Sequence, residues 1–155
     1  MPEDDSLELD RKKLRAELSQ DEGRRTRAYQ DSLGIWTVGV GFNLEANAIP
    51  EDVVDRLLDL SIANVEAGLD AFEPHWRTLD ADRRRVLVNM GFMGVQRLSG
   101  FRKMWAHLRS YLNTGTPLFL DQAAEEMLDS KWARQVGTRA DRLAARMRAN
   151  VPTGG

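Results

Sequence analysis

The chain has 155 residues, no cysteine, two histidines and a formal net charge of -2, with 42% hydrophobic and 30% charged residues. A chain of this length buries roughly 68–70% of its unfolded surface, enough to fold without metal or disulfide support, and the composition is globular rather than disordered. The lack of cysteine excludes disulfides, thiol nucleophiles and cysteine-ligated metal sites, and His75 and His107 alone do not make one of the common zinc constellations.

The charge is unevenly spread. Lys131 to Gly155 holds six basic residues and one acid, so the preceding residues carry -7. Such segregation suits a polyanionic partner or the solvated face of an arginine-rich helix. The start, Met1-Pro-Glu-Asp-Asp-Ser, lacks the apolar core of a signal peptide. No stretch approaches the ~20 apolar residues of a membrane span. The expectation is a chain made in the cytoplasm and not inserted into a membrane. If it acts beyond the membrane, another agent must carry or release it.

Leu7, Leu9, Leu14 and Leu18 sit among charges and predict an amphipathic helix over 6–21, with Ser6 as N-cap and Gly23 as its stop. Tyr29 and Gln30 lead into Asp31-Ser32-Leu33-Gly34, a turn signal. From Ile35 to Phe42 the residues alternate, with Trp36, Val38, Val40 and Phe42 on one face and Ile35, Thr37, Gly39 and Gly41 on the other. This predicts a hairpin or small antiparallel sheet. Gly39 and Gly41 mark either a close approach by a ligand or backbone, or a bend.

Pro50 is placed to open a helix, and Val54, Leu57, Leu58, Ile62, Val65, Leu69 and Phe72 carry its apolar spacing until Pro74. Beyond Asp80 only helices are predicted. Val86–Phe92 marks one, Phe101–Leu112 another, and Leu118–Trp132 and Thr138–Met147 two more, with breaks at Gly94, Asn113–Pro117 and Gly137. The fold class is α+β, mainly helical. Residues 1–47 form a small lobe with a helix and a sheet, 48–73 a connecting helix, and 74–155 a helical lobe, all within one domain. Trp105 and Trp132 read as core, and Trp36 lies opposite Thr37 by strand parity.

Glu22 closes the first helix, Asp31 stands at the turn and Thr37 lies on the glycine-rich strand face. Cleaving a glycosidic bond takes one carboxyl group to protonate the departing oxygen and another to activate water or stabilise the cationic transition state. A threonine hydroxyl could hold that water. As bare spacing the pair is weak evidence among 24 acids, and the structural alternative is a solvated helix-end acid beside a turn-forming aspartate.

The run Glu22-Gly-Arg-Arg-Thr-Arg-Ala-Tyr-Gln-Asp31-Ser-Leu-Gly-Ile-Trp-Thr37-Val-Gly39-Val-Gly41 resembles the active-site signature of the phage lysozymes, glycoside hydrolase family 24. The likeness is thinner through Asp82–Leu87, Asn89-Met90, Phe92, Gly100-Phe101, Lys131-Trp132 and Arg139-Ala140. The resemblance implies a two-lobe lysozyme fold and an N-acetylmuramidase that hydrolyses the β-1,4 bond between N-acetylmuramic acid and N-acetylglucosamine in bacterial peptidoglycan. It implies Glu22 as general acid. Asp31 would position or activate water, or stabilise the oxocarbenium-like state, and Thr37 would help hold the water. The outcome would be inverting. Gly39, Gly41 and Arg139 would bind substrate or support the site, Arg139 approaching Glu22. A cation there favours an ionised carboxylate while acid catalysis needs the proton, and the sequence does not resolve that tension.

The family usually places histidine where this chain has Phe42. The resemblance implies a peptidoglycan substrate, and this chemistry needs no metal or organic cofactor, because two carboxyls and water suffice. The lack of a signal peptide fits an endolysin freed by a separate permeabilising protein, a virion-borne lysozyme or a prophage-derived bacterial protein equally well. A monomer is expected, with no nucleic-acid partner. The competing readings are a lytic transglycosylase, which can work without Asp31 and Thr37, a non-catalytic wall-binding protein on the same fold, and a nucleic-acid binder using the late arginines.

Overall fold

The computed structural model describes residues 5–148. The fold is mainly helical α+β. Contacts cluster it into two compact units, one ending at Asp55 and the other beginning at Arg56.

In the first unit, α1 (Asp5–Glu22) leads into a three-stranded antiparallel sheet of β1 (Arg25–Gln30), β2 (Trp36–Gly39) and β3 (Phe42–Asn43), with β2 central. Ser6 lies inside α1 rather than before it. Gly23 ends α1 with a φ of +78°, its N–H donating to Ser19 O at 3.1 Å. The left-handed conformation costs glycine little, so the chain turns there into β1. The alternation through Phe42 does not make one strand. Gly39 and Gly41 both take a φ of +69°, and the chain reverses between β2 and β3, pairing Val38 with Phe42 and Thr37 with Asn43. Both glycines bend the chain here, and at Gly39 an added Cβ would meet no protein atom within 4 Å.

The helix α2 (Glu51–Phe72) starts one residue after Pro50, whose carbonyl accepts from the N–H groups of Val53 and Val54. Its apolar face is buried only at Val65 and Leu69. The boundary between the units falls near its start.

The second unit continues with a 3₁₀ turn (Pro74–Thr78), α3 (Ala81–Gly91), α4 (Val95–Ser99), α5 (Arg102–Thr114), α6 (Leu118–Leu128), α7 (Lys131–Val136) and α8 (Thr138–Met147). The helix expected over 118–132 is therefore two. Ser130 interrupts it: its hydroxyl accepts from Ala133 N at 3.0 Å and donates to Met127 O at 2.6 Å. It caps α7 and closes α6, as short hydroxyl side chains do.

The core of this unit gathers Leu69, Val86, Leu87, Met90, Leu98, Met104, Leu108, Met127 and Met147. Trp105 is buried and its indole N–H reaches Leu98 O at 2.9 Å, so its polar atom is satisfied inside the core. Trp132 is also buried, edge-on to Phe101. Gly91 is small because α2 passes close: an added Cβ would meet Val65 Cγ1 at 2.3 Å. Arg83 is buried and donates to Asp80 Oδ1 at 2.8 Å, to Met147 O at 2.9 Å and to Arg148 O. It ties the start of α3 to the end of α8.

Candidate active site

Glu22 is the last residue of α1, and its side chain is exposed. The hairpin between β2 and β3 brings Gly41 beside it: a Cβ at Gly41 would lie 3.7 Å from Glu22 Oε2. That is an ordinary contact distance, so what calls for glycine at this position is its φ of +69° rather than lack of room.

Asp31 and Thr37 are joined through Ile35. The β1–β2 turn is closed by Gly34 N–H donating to Asp31 O at 2.9 Å, and Asp31 Oδ1 accepts from Leu33 N at 2.8 Å and Ile35 N at 2.9 Å. This is the habit of an aspartate whose side chain bonds the backbone just ahead of it. Ile35 O in turn accepts from Asp31 N at 2.9 Å and from Thr37 Oγ1 at 3.0 Å. Thr37 is 4% exposed, on the central strand between Tyr29 and Asn43. One carboxylate oxygen of Asp31 is thereby fixed by the turn. Among the described residues Oδ2 has no hydrogen-bond partner and is free to accept from water.

Glu22, Asp31, Thr37, Gly39 and Gly41 thus all belong to the first unit, and of the glycines only Gly41 adjoins a candidate acid. Arg139 belongs to the second, at the start of α8. Its guanidinium forks onto Asn89, with Nε 3.0 Å and Nη2 2.6 Å from Oδ1 and Nη2 2.9 Å from the Asn89 carbonyl. Both residues line a concavity of about 700 Å³ within the second unit, together with Ile62, Val88 and Phe92. Sequence reading does not single out Asn89 as a site residue. Its signal is a polar residue inside the apolar run Val86-Leu87-Val88-Asn89-Met90.

Among the described residues no group of three His, Asp or Glu side chains is arranged to hold a metal ion, and no helix is long and apolar enough to cross a membrane. A model of the phage lysozyme family matches residues 19–150, a span that includes Glu22, Asp31, Thr37 and Arg139, and the chain belongs to that family.

Proposed function

We propose that the chain is an N-acetylmuramidase that hydrolyses the β-1,4 bond between N-acetylmuramic acid and N-acetylglucosamine. Family membership supports a cell-wall hydrolase of the lysozyme or endolysin type acting on peptidoglycan. The observation that carries the finer reading is the presence in one unit of an exposed carboxyl at Glu22 and a turn-anchored carboxylate at Asp31, the latter linked to Thr37 through the Ile35 carbonyl.

In this reading Glu22 gives its proton to the glycosidic oxygen as the bond to the muramic acid C1 breaks. Asp31 accepts a proton from the attacking water through Oδ2, while Thr37 holds that water or the carbonyl network behind it. Water attacking opposite the leaving group inverts the anomeric centre, a geometry that needs room for water between two carboxyl groups. Gly41, at a positive φ, turns the β2–β3 hairpin beside the Glu22 carboxylate. Arg139, oriented by Asn89, is the substrate-binding candidate on the second unit. No cofactor has a role in this chemistry. The biological setting that fits it is an endolysin released by a separate permeabilising protein, or a virion-borne enzyme.

Glu22→Gln keeps the shape and removes the transferable proton. Turnover of labelled peptidoglycan is expected to fall by about 10²-fold or more, with an unchanged circular-dichroism melting curve. Full activity in a folded Glu22→Gln protein would remove Glu22 from the acid role.

A further inference from the structure

Three arginines follow the candidate acid within five residues: Arg24, Arg25 and Arg27, all exposed. They line a shallow concavity of about 580 Å³ formed by Gly23 to Tyr29. The concavity has a local cause. Arg25 pairs with Gly39 and Tyr29 with Thr37, so Thr26, Arg27 and Ala28 stand opposite Val38 alone. The extra residues bulge β1 away from β2, and bulges of this kind redirect side chains at sheet edges. β1 is itself an edge, since the strand order is β1-β2-β3.

Among the described residues of the first unit, none of the three arginines has an ion-pair partner. Arg24 donates to the Ser19 hydroxyl at 3.1 Å, and Arg25 lies 4.7 Å from the centre of the Tyr29 ring. Both contacts hold the guanidinium in place without cancelling its charge. Arg27 has no ion-pair partner among the described residues of the first unit. The chain as a whole is acidic, so this concentration of positive charge is local. A fork of guanidinium donors suits a carboxylate held in two-point contact.

We propose that the bulged edge of β1 docks the carboxylates of the peptide stems carried by the muramic acid residues of the substrate. The inference rests on the muramidase reading, and the position favours it. Arg24 comes two residues after Glu22, so the arginine-lined edge begins next to the acid at which a glycan strand would be seated.

The test uses the full chain and the variant Arg24→Gln/Arg25→Gln/Arg27→Gln on three purified substrates: peptidoglycan free of phosphate polymers, the same strands stripped of peptide with the freed lactyl carboxylates capped as amides, and walls that still carry phosphate polymers. On the peptide-bearing strands the variant is expected to raise KM about tenfold, as three exposed ion pairs can, with kcat within about twofold. On the stripped strands KM should rise by less than about twofold. A wild-type measurement guards against a misfolded variant: added salt should raise KM on peptide-bearing strands and not on stripped ones, since exposed ion pairs are screened. Equal losses on peptide-bearing and stripped strands would overturn the proposal. So would a loss seen only on walls carrying phosphate polymers. Unchanged KM in a variant that aggregates would also overturn it, because the arginines would then serve only to guard a sheet edge. If the wild type releases no reducing ends from any of the three substrates, the muramidase reading fails. The docking claim is then decided by co-sedimentation, which it survives only if peptide-bearing strands pull down the wild type better than the triple variant.

Discussion

From Val65 to Met147 twenty hydrophobic side chains are buried. Across the described residues of the first unit, Thr37 is the one buried residue. The leucines of α1 are exposed, Leu7 at 66% and Leu18 at 44%, whereas Leu87, Met90 and Met127 of the second unit are fully buried. The second unit is held by packing. The first is held by hydrogen-bonded turns: Gly23 onto Ser19, Gly34 onto Asp31, and Asp31 onto Leu33 and Ile35. The unit with little apolar burial is the one that carries Glu22, Asp31 and Thr37. Regions poor in buried contacts open locally at low cost. Amide hydrogens of β1 to β3 are therefore expected to exchange well before those of α3 and α6.

This contrast predicts that activity and stability separate along the chain. The largest effect on activity without one on stability is expected from Asp31→Asn. The amide keeps an oxygen for the turn N–H groups and loses the proposed base, so turnover should drop by about 10²-fold with little change in melting temperature. A large loss of stability would show that the carboxylate is needed for the turn itself and would weaken the contrast. Leu87→Ala should do the reverse. It opens a cavity in the packed unit and should cost about 2–5 kcal/mol in denaturant titration, with near-normal activity per folded molecule.

Gly41→Ala is expected to fall between these. The added methyl has room, at 3.7 Å from Glu22 Oε2, but a φ of +69° strains an L-residue. A cost of about 1–2 kcal/mol is expected, with partial loss of activity as the hairpin shifts beside Glu22. An unaltered protein would show that neither the backbone conformation nor the neighbouring carboxylate matters.

The smallest effect is expected at Asp80. Burial pushes its carboxyl pKa up, but the hydrogen bond and charge of Arg83, with backbone N–H donors, outweigh it and hold the pKa below 3.8. A group depressed in the folded state stabilises above its unfolded pKa, and that contribution is lost as pH falls through the folded value. Asp80→Asn should therefore lower stability at neutral pH and flatten its decline on acidification below about pH 4. Parallel pH profiles for both proteins would contradict the assignment.

The helical part of the fold was legible because its punctuation is strong. Gly94, Gly115 and Gly137 all take positive φ at helix junctions, close to the breaks read from the sequence. The division of 118–132 was hidden because apolar residues continue through Leu128 and Trp132, and the interruption depends on the hydrogen bonds of a single residue, Ser130. The break between β2 and β3 was hidden for a related reason. Trp36, Val38, Val40 and Phe42 keep period two, and only backbone angles at Gly39 and Gly41 reveal the reversal. The likeness to phage lysozymes supplied Glu22, Asp31 and Thr37. It gave no hint of how Ile35 ties the last two together, because that link runs through main-chain atoms. Asn89 escaped for the opposite reason: its side chain is in plain sight, but its partner Arg139 is fifty residues away.

The most direct test of the central claim is mass spectrometry of the fragments released from purified peptidoglycan by the wild-type chain, with Glu22→Gln alongside. Hydrolysis by Glu22 with water held at Asp31 and Thr37 predicts fragments ending in reducing N-acetylmuramic acid, absent with the variant. Ends in 1,6-anhydro-muramic acid would contradict it, because the muramic acid itself would then have displaced the leaving group and no water would have been used.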